Sequence, residues 1–186
     1  MLFDKKYFLY LLAILYSFSC SNPLPLSNLF PDGTDKRNIN SENPTYSGLQ
    51  VGNSVPDLTF FNTDGTTETL SNILRLRKGV VIYFTMWCPL CETHMDYIRF
   101  NIKPGYPDIE FYLMDYVSAT ITGAQDNQTA TGYTDFQAAL DKNFTLTDLF
   151  YGTMGTTIVI DKKSVIKMNE DFKNGQRLSN VLAAIP

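Results

Sequence analysis

Two cysteines three residues apart form the feature of this chain best suited to chemistry: Trp87-Cys88-Pro89-Leu90-Cys91, followed by Glu92, Thr93, His94 and Met95. Such a pair can close into a disulfide and reopen if one thiol meets solvent and the other stands within bonding reach behind it. A strand running into a helix supplies that arrangement. A cysteine at a helix N-terminus faces unpaired backbone N–H groups and the positive end of the helix dipole, which favours its thiolate. Three residues on, its partner lies one turn deeper on the same side. Cys88 is therefore read as the attacking thiol and Cys91 as the resolving one. The competing use of the pair is half of a structural zinc site. Zinc ordinarily takes four protein ligands. Past Cys20 the chain offers only Cys88, Cys91 and its single histidine, His94. The count favours redox chemistry that needs no cofactor beyond the dithiol.

The elements that must position the pair can be read outward from it. Gly79–Thr85 is near-continuously apolar, as expected of a central strand buried on both faces. A helix is expected over Pro89–Asn101, with Cys91, Met95, Ile98 and Ile102 toward the core, stopped by Lys103-Pro104-Gly105. Upstream, Asp57–Phe61 reads as a strand, Asn62–Gly65 as a turn before Thr66–Glu68, and Leu70–Leu76 as a short helix. Downstream, Ile109–Met114 is a strand and Tyr116–Tyr133 a long polar loop. Thr134–Lys142 and Leu146–Tyr151 read as helices. Thr156–Ile160 and Val165–Met168 form a hairpin about Asp161–Ser164, and Gln176–Ile185 a closing amphipathic helix. Alternating strands and helices predict an α/β domain with a mixed central sheet.

The chain has 186 residues, 44% hydrophobic and 18% charged, with a net charge of −4. That is enough for one ordinary core over residues 49–186. No basic run interleaves with aromatics, so nucleic-acid binding is not indicated. Residues 1–19 read as an export signal: Lys5 and Lys6, an apolar Tyr7–Leu15, then Ser17 and Ser19 before Cys20. The apolar stretch is short for a membrane-spanning helix. A lone cysteine after such a segment resembles the bacterial lipoprotein signal, which implies lipidation of Cys20, although Leu would be expected at Ser17 and Phe18 is bulky for its slot. Ordinary cleavage or a retained anchor are the alternatives. Residues 20–48, with Pro23, Pro25, Pro31 and Pro44, read as a lipidated cysteine and flexible spacer. The expected location is an exported, membrane-anchored protein facing the periplasm or cell exterior.

Val51-Gly52-Asn53-Ser54-Val55-Pro56-Asp57, the Asp64-Gly65 turn, the Val80–Phe84 strand, the Trp-Cys-Pro-Leu-Cys run and Ile158-Val159-Ile160-Asp161 together resemble the thioredoxin-like redoxins. The nearest branch is the TlpA-like, membrane-anchored thiol-disulfide oxidoreductases, related to the peroxiredoxin superfamily. The resemblance covers residues 49–186 and implies a thioredoxin-like fold, a central mixed sheet flanked by helices, with a cycling dithiol. It also implies disulfide-containing envelope proteins as partners and an upstream membrane thiol donor. Substrate contacts are expected from Trp87, Pro89 and the turn Met154-Gly155-Thr156.

Two departures stand out. Such proteins usually place a cis-proline before the strand that starts here at Thr156, where this chain has Met154-Gly155; a non-proline cis bond costs about 3 kcal/mol, so a trans peptide is expected. Where relatives often carry an acid three residues after the second cysteine, this chain has His94. Its imidazole could take the proton that Cys91 must lose, directly or through a water, or simply face solvent. Leu90 cannot donate a hydrogen bond to Cys88. Two other readings compete with disulfide exchange. Thr85-Met86-Trp87-Cys88 matches the Thr-x-x-Cys spacing of peroxiredoxins, but Val81 and Gly155 stand where their proline and arginine would be. Cys88, Cys91 and His94 would also suit copper.

Overall fold

The computed structural model describes residues 48–186. The export signal, Cys20 and nearly all of the spacer read from the sequence lie outside the described residues. No helix of the described residues is long and apolar enough to cross a membrane.

Seven strands form one sheet: β1 (Thr59–Asn62), β2 (Thr67–Thr69), β3 (Gly79–Thr85), β4 (Ile109–Asp115), β5 (Gln137–Leu140), β6 (Thr156–Asp161) and β7 (Ile166–Asp171), in the order β2-β1-β5-β4-β3-β6-β7. The helices are α1 (Leu70–Leu76), α2 (Pro89–Tyr97), α3 (Ile121–Thr131), α4 (Thr145–Phe150) and α5 (Gln176–Ala183). β3 runs parallel to β4 in the register Gly79↔Ile109 and antiparallel to β6 in the register Gly79↔Asp161. All seven residues of β3 are buried. Its near-continuous apolar run is thus the signature of a strand covered on both faces. The sheet is mixed and helix-flanked, as the sequence predicts.

Three local differences from the sequence reading have physical causes. The polar segment 116–133 carries α3, capped by the Thr120 hydroxyl, which accepts the Gly123 amide at 3.0 Å, and ended by Gly132 at φ 77°. Only Ala124 and Gln128 of α3 are buried, so no apolar stripe advertises it. Gln128 replaces the stripe with hydrogen bonds to Thr63 Oγ1 (2.7 Å) and the carbonyls of Tyr133 (3.1 Å) and Phe136 (3.0 Å). Residues 134–142, expected as a helix, instead supply β5. Ala138 and Ala139 favour helix locally, but pairing of β5 with both β4 and β1 overrides that preference. Finally, α2 stays α-helical to Tyr97 and then widens into a π turn over Ile98–Ile102. Cys91, Met95, Ile98 and Ile102 are all buried, as their spacing requires.

Candidate functional site

The backbone between β3 and α2 turns sharply at Trp87, a non-glycine residue at φ 58°. Such a conformation costs on the order of 1–3 kcal/mol and persists only where its surroundings hold it. Here the Trp87 amide donates to Thr85 Oγ1 at 3.0 Å, and its indole Nε1 donates to Asp115 Oδ2 at 2.7 Å. Asp115 is fully buried at the end of β4. It also accepts the amides of Val117 (2.9 Å) and Ser118 (2.8 Å) and the Ser118 hydroxyl (2.6 Å). This carboxylate ties the strand end, the indole and the loop before α3 into one unit.

The bend delivers Cys88 as the N-cap of α2, with Pro89 in the first turn. Cys88 Sγ accepts the Cys91 amide at 3.3 Å and lies 2.9 Å from Cys91 Sγ. Cys88 is partly exposed and Cys91 wholly buried. The two sulfurs are within reach of a bond, one accessible and one behind. Burial pushes the Cys91 thiol above its ordinary range and its hydrogen bond with Cys88 adds to this, while the amides of Met86 and Cys88 pull it back. Pro89 and Leu90 lie exposed beside the pair, with Trp87 half-buried.

The turn before β6 faces Cys88 with Met154, whose Sδ is 3.4 Å from Cys88 Sγ. There is no cis peptide among the described residues, and the Met154–Gly155 bond is trans. Gly155, at φ +85°, fits a backbone that few other residues adopt. The amides of this turn point inward. Thr153 donates to Thr156 Oγ1 (3.0 Å), Gly155 to Phe84 O (3.0 Å) and Thr156 to Thr153 O (2.9 Å). Met154 therefore adjoins the dithiol, Gly155 lies beside His94 instead, and Thr156 is buried.

His94 does not converge with the cysteines into a ligand set; no group of three His, Cys, Asp or Glu side chains that could hold a metal occurs among the described residues. Its Nδ1 lies 2.9 Å from the hydroxyl of Tyr83, and its ring packs on Phe172 with centroids 4.8 Å apart. Burial lowers its pKa below the ordinary imidazole value. Sequence reasoning missed Tyr83 and Asp115. Tyr83 reads as one more apolar strand residue, although strand alternation puts it on the same face as Val81 and Thr85. Asp115, a charge closing an apolar strand, was the signal available for the other.

No curated protein matches the chain. Solved structures share its fold. A candidate protein disulfide isomerase from Bacteroides thetaiotaomicron is similar at 23% identity and TM-score 0.60, over 74% of this chain and 88% of that one. The thioredoxin domain of a thiol-disulfide oxidoreductase from Bacteroides vulgatus matches at 17% identity and TM-score 0.58, over 73% of this chain and 97% of that one. A peroxiredoxin-like protein from Aquifex aeolicus matches at 14% identity and TM-score 0.60, over 76% and 90%. The family model described as Redoxin matches residues 50–185, spanning the sheet, the dithiol and the closing helix, and the chain belongs to the Redoxin family.

Proposed function

We propose that this redoxin is an extracytoplasmic thiol-disulfide oxidoreductase that exchanges disulfides with partner proteins through Cys88 and Cys91. One observation carries the reading: a partly exposed thiol at a helix N-terminus, 2.9 Å from a wholly buried one. In the reducing direction the Cys88 thiolate attacks one sulfur of a partner disulfide. A mixed disulfide forms and the partner's other sulfur leaves as a thiolate. Cys91 then attacks Cys88, closing the internal disulfide and releasing the partner reduced by two electrons. An upstream membrane thiol donor would restore the dithiol, and lipidation of Cys20 would hold the domain at the membrane.

The fold is shared with peroxiredoxin-like proteins, so peroxide reduction is the reading to set against exchange. Against it, the side chain lying against Cys88 from the turn before β6 is the thioether of Met154, where a cation would be needed to stabilise the thiolate and the developing charge. The test is partner trapping from the native envelope. Cys91→Ser should accumulate mixed disulfides and Cys88→Ser should form none. If instead hydrogen peroxide consumes Cys88 far faster than a free thiol and no partner is trapped, the exchange reading is wrong.

A further inference from the structure

Three sulfur atoms meet at the start of α2. Cys88 Sγ lies 2.9 Å from Cys91 Sγ and 3.4 Å from Met154 Sδ, so one sulfur touches both a second thiol and a thioether. Cys91 is wholly buried and Met154 is 5% exposed, while Cys88 is partly exposed. A buried methionine usually fills an irregular gap with a side chain that takes many shapes. Here the backbone on both sides of Met154 is fixed. Thr153 donates to Thr156 Oγ1 at 3.0 Å, Gly155 to Phe84 O at 3.0 Å, and Phe172 to Gly155 O at 2.8 Å. An aliphatic side chain would pack in the same space. Only methionine brings a third sulfur lone pair to the pair of thiols.

We infer that Cys88, Cys91 and Met154 form a binding site for one copper(I) ion. Soft thiolate and thioether ligands select copper(I), zinc or iron–sulfur clusters. Structural zinc takes four ligands from Cys, His, Asp or Glu, and an iron–sulfur cluster takes four cysteines. Among the described residues no group of three His, Cys, Asp or Glu side chains begins to meet either demand. Two thiolates and a thioether make a low-coordinate, all-sulfur set, which suits the monovalent ion. The histidine that spacing alone would choose, His94, has its Nδ1 on the Tyr83 hydroxyl at 2.9 Å; the turn before β6 supplies Met154 instead. Loading exchanges protons for metal. The ion binds, the two thiol protons leave to water, and no electron moves, so copper stays monovalent. Two thiolates and one copper(I) leave a net charge of −1. That charge sits at the N-terminus of α2, where the Cys91 amide donates to Cys88 Sγ at 3.3 Å and the helix dipole favours an anion. With metal–sulfur bonds of about 2.3 Å, sulfurs around one ion stand about 4 Å apart, so the set opens by roughly 0.5–1 Å through the side-chain torsions of Cys88 and Met154. Cys88 is the exposed member, and the ion enters and leaves past it. A loaded Cys88 cannot attack a disulfide, and a closed Cys88–Cys91 disulfide cannot hold the ion. Copper and disulfide exchange therefore compete for one reduced pair, and the site stands whether or not exchange is the reaction of this domain.

The test uses the full chain carrying Cys20→Ser, reduced and kept free of oxygen, and titrates it with copper(I) against the chromophoric chelator bicinchoninate. One ion per chain is expected, and X-ray absorption at the copper edge should count three sulfur neighbours and no nitrogen. Met154→Leu, which keeps the apolar volume, should weaken binding by about tenfold or more, at least the loss that follows removal of an outer-sphere partner of a metal. Its copper should show two sulfur neighbours. The sulfur count of the parent decides the matter even where Met154→Leu fails to fold. A parent that holds copper(I) no better than its own disulfide form, or that shows two sulfurs or a nitrogen, overturns the site. So does a folded Met154→Leu that binds as tightly as the parent, or a His94→Gln that loses the ion where Met154→Leu keeps it. Failure to trap disulfide partners, with copper still bound by three sulfurs, would instead tell against the exchange reading alone.

Discussion

Asp115→Asn tests whether the bend at Trp87 is held from β4. The buried carboxylate accepts four hydrogen bonds, two from backbone amides and two from the indole and the Ser118 hydroxyl. Asparagine keeps one acceptor oxygen. If that oxygen stays with the Val117 and Ser118 amides, the new NH2 group faces the indole N–H donor to donor. Ser118 can rotate to accept, but the indole cannot. A hydrogen bond to a charged acceptor contributes about 1.5–3 kcal/mol, and a stranded buried donor costs about 1–3 kcal/mol. The two overlap, and a net loss of about 2–4 kcal/mol is expected. For a domain of this size that is a fall in Tm of roughly 10 °C. Trp87 is the chain's only tryptophan, so its emission reports the site without further labelling. Release of the indole should shift the emission to the red and slow alkylation of Cys88, whose place depends on the strained residue before it. An Asp115→Asn protein with the parental emission maximum and a Tm within a degree or two of the parent would refute the argument that this carboxylate holds the bend.

Two further outcomes follow from the same geometry. Gly155→Pro, which restores the residue type expected beside the dithiol, should destabilise by about 3 kcal/mol or more, because proline cannot adopt φ +85° and removes the amide bonded to Phe84 O; denaturant unfolding with the midpoint unchanged would contradict the turn described here. The lowered pKa of His94 sets a sign for stability against pH. Between the ordinary imidazole value of about 6.5 and the lower folded one, the unfolded chain binds the extra proton and the folded chain does not, so stability falls as pH falls through that window. The parent should therefore lose more stability than His94→Gln between pH 7.5 and the acid end of the window, measured by urea unfolding, and parallel losses in the two proteins would sink the assignment.

How much of this was legible before the structure depends on which force decides each element. β3 and α2 are decided by their own residues: a near-continuous apolar run, then a capping cysteine, a proline at the first turn and a buried stripe at helical spacing. The bounds of β3 and the start of α2 were therefore readable, and so was the dithiol at their junction; the end of α2 at Tyr97, where it widens into a π turn, was not. β5 and α3 are decided by their neighbours. Gln137–Leu140 is a strand because a gap between β4 and β1 accepts it, and α3 is held on its inner side by a glutamine whose partners are 65 residues upstream and 5 to 8 residues downstream. No periodicity in either segment records those partners.

The site divides along the same line. Cys88 and Cys91 are joined by helix geometry, which spacing encodes directly. The groups that set their surroundings come from three other places in the chain: Tyr83 within the strand, Asp115 at the end of the next one, and Met154 in a turn 66 residues from the thiol it touches. A tyrosine in an apolar strand satisfies the same hydrophobic pattern as phenylalanine, so sequence cannot tell a packing ring from one whose hydroxyl meets a histidine on the neighbouring helix. Here the hydroxyl lies 2.9 Å from His94 Nδ1 and ties β3 to α2, and Phe in its place would keep the ring while removing that link. The distinction lies in one oxygen atom, which no hydrophobic pattern records.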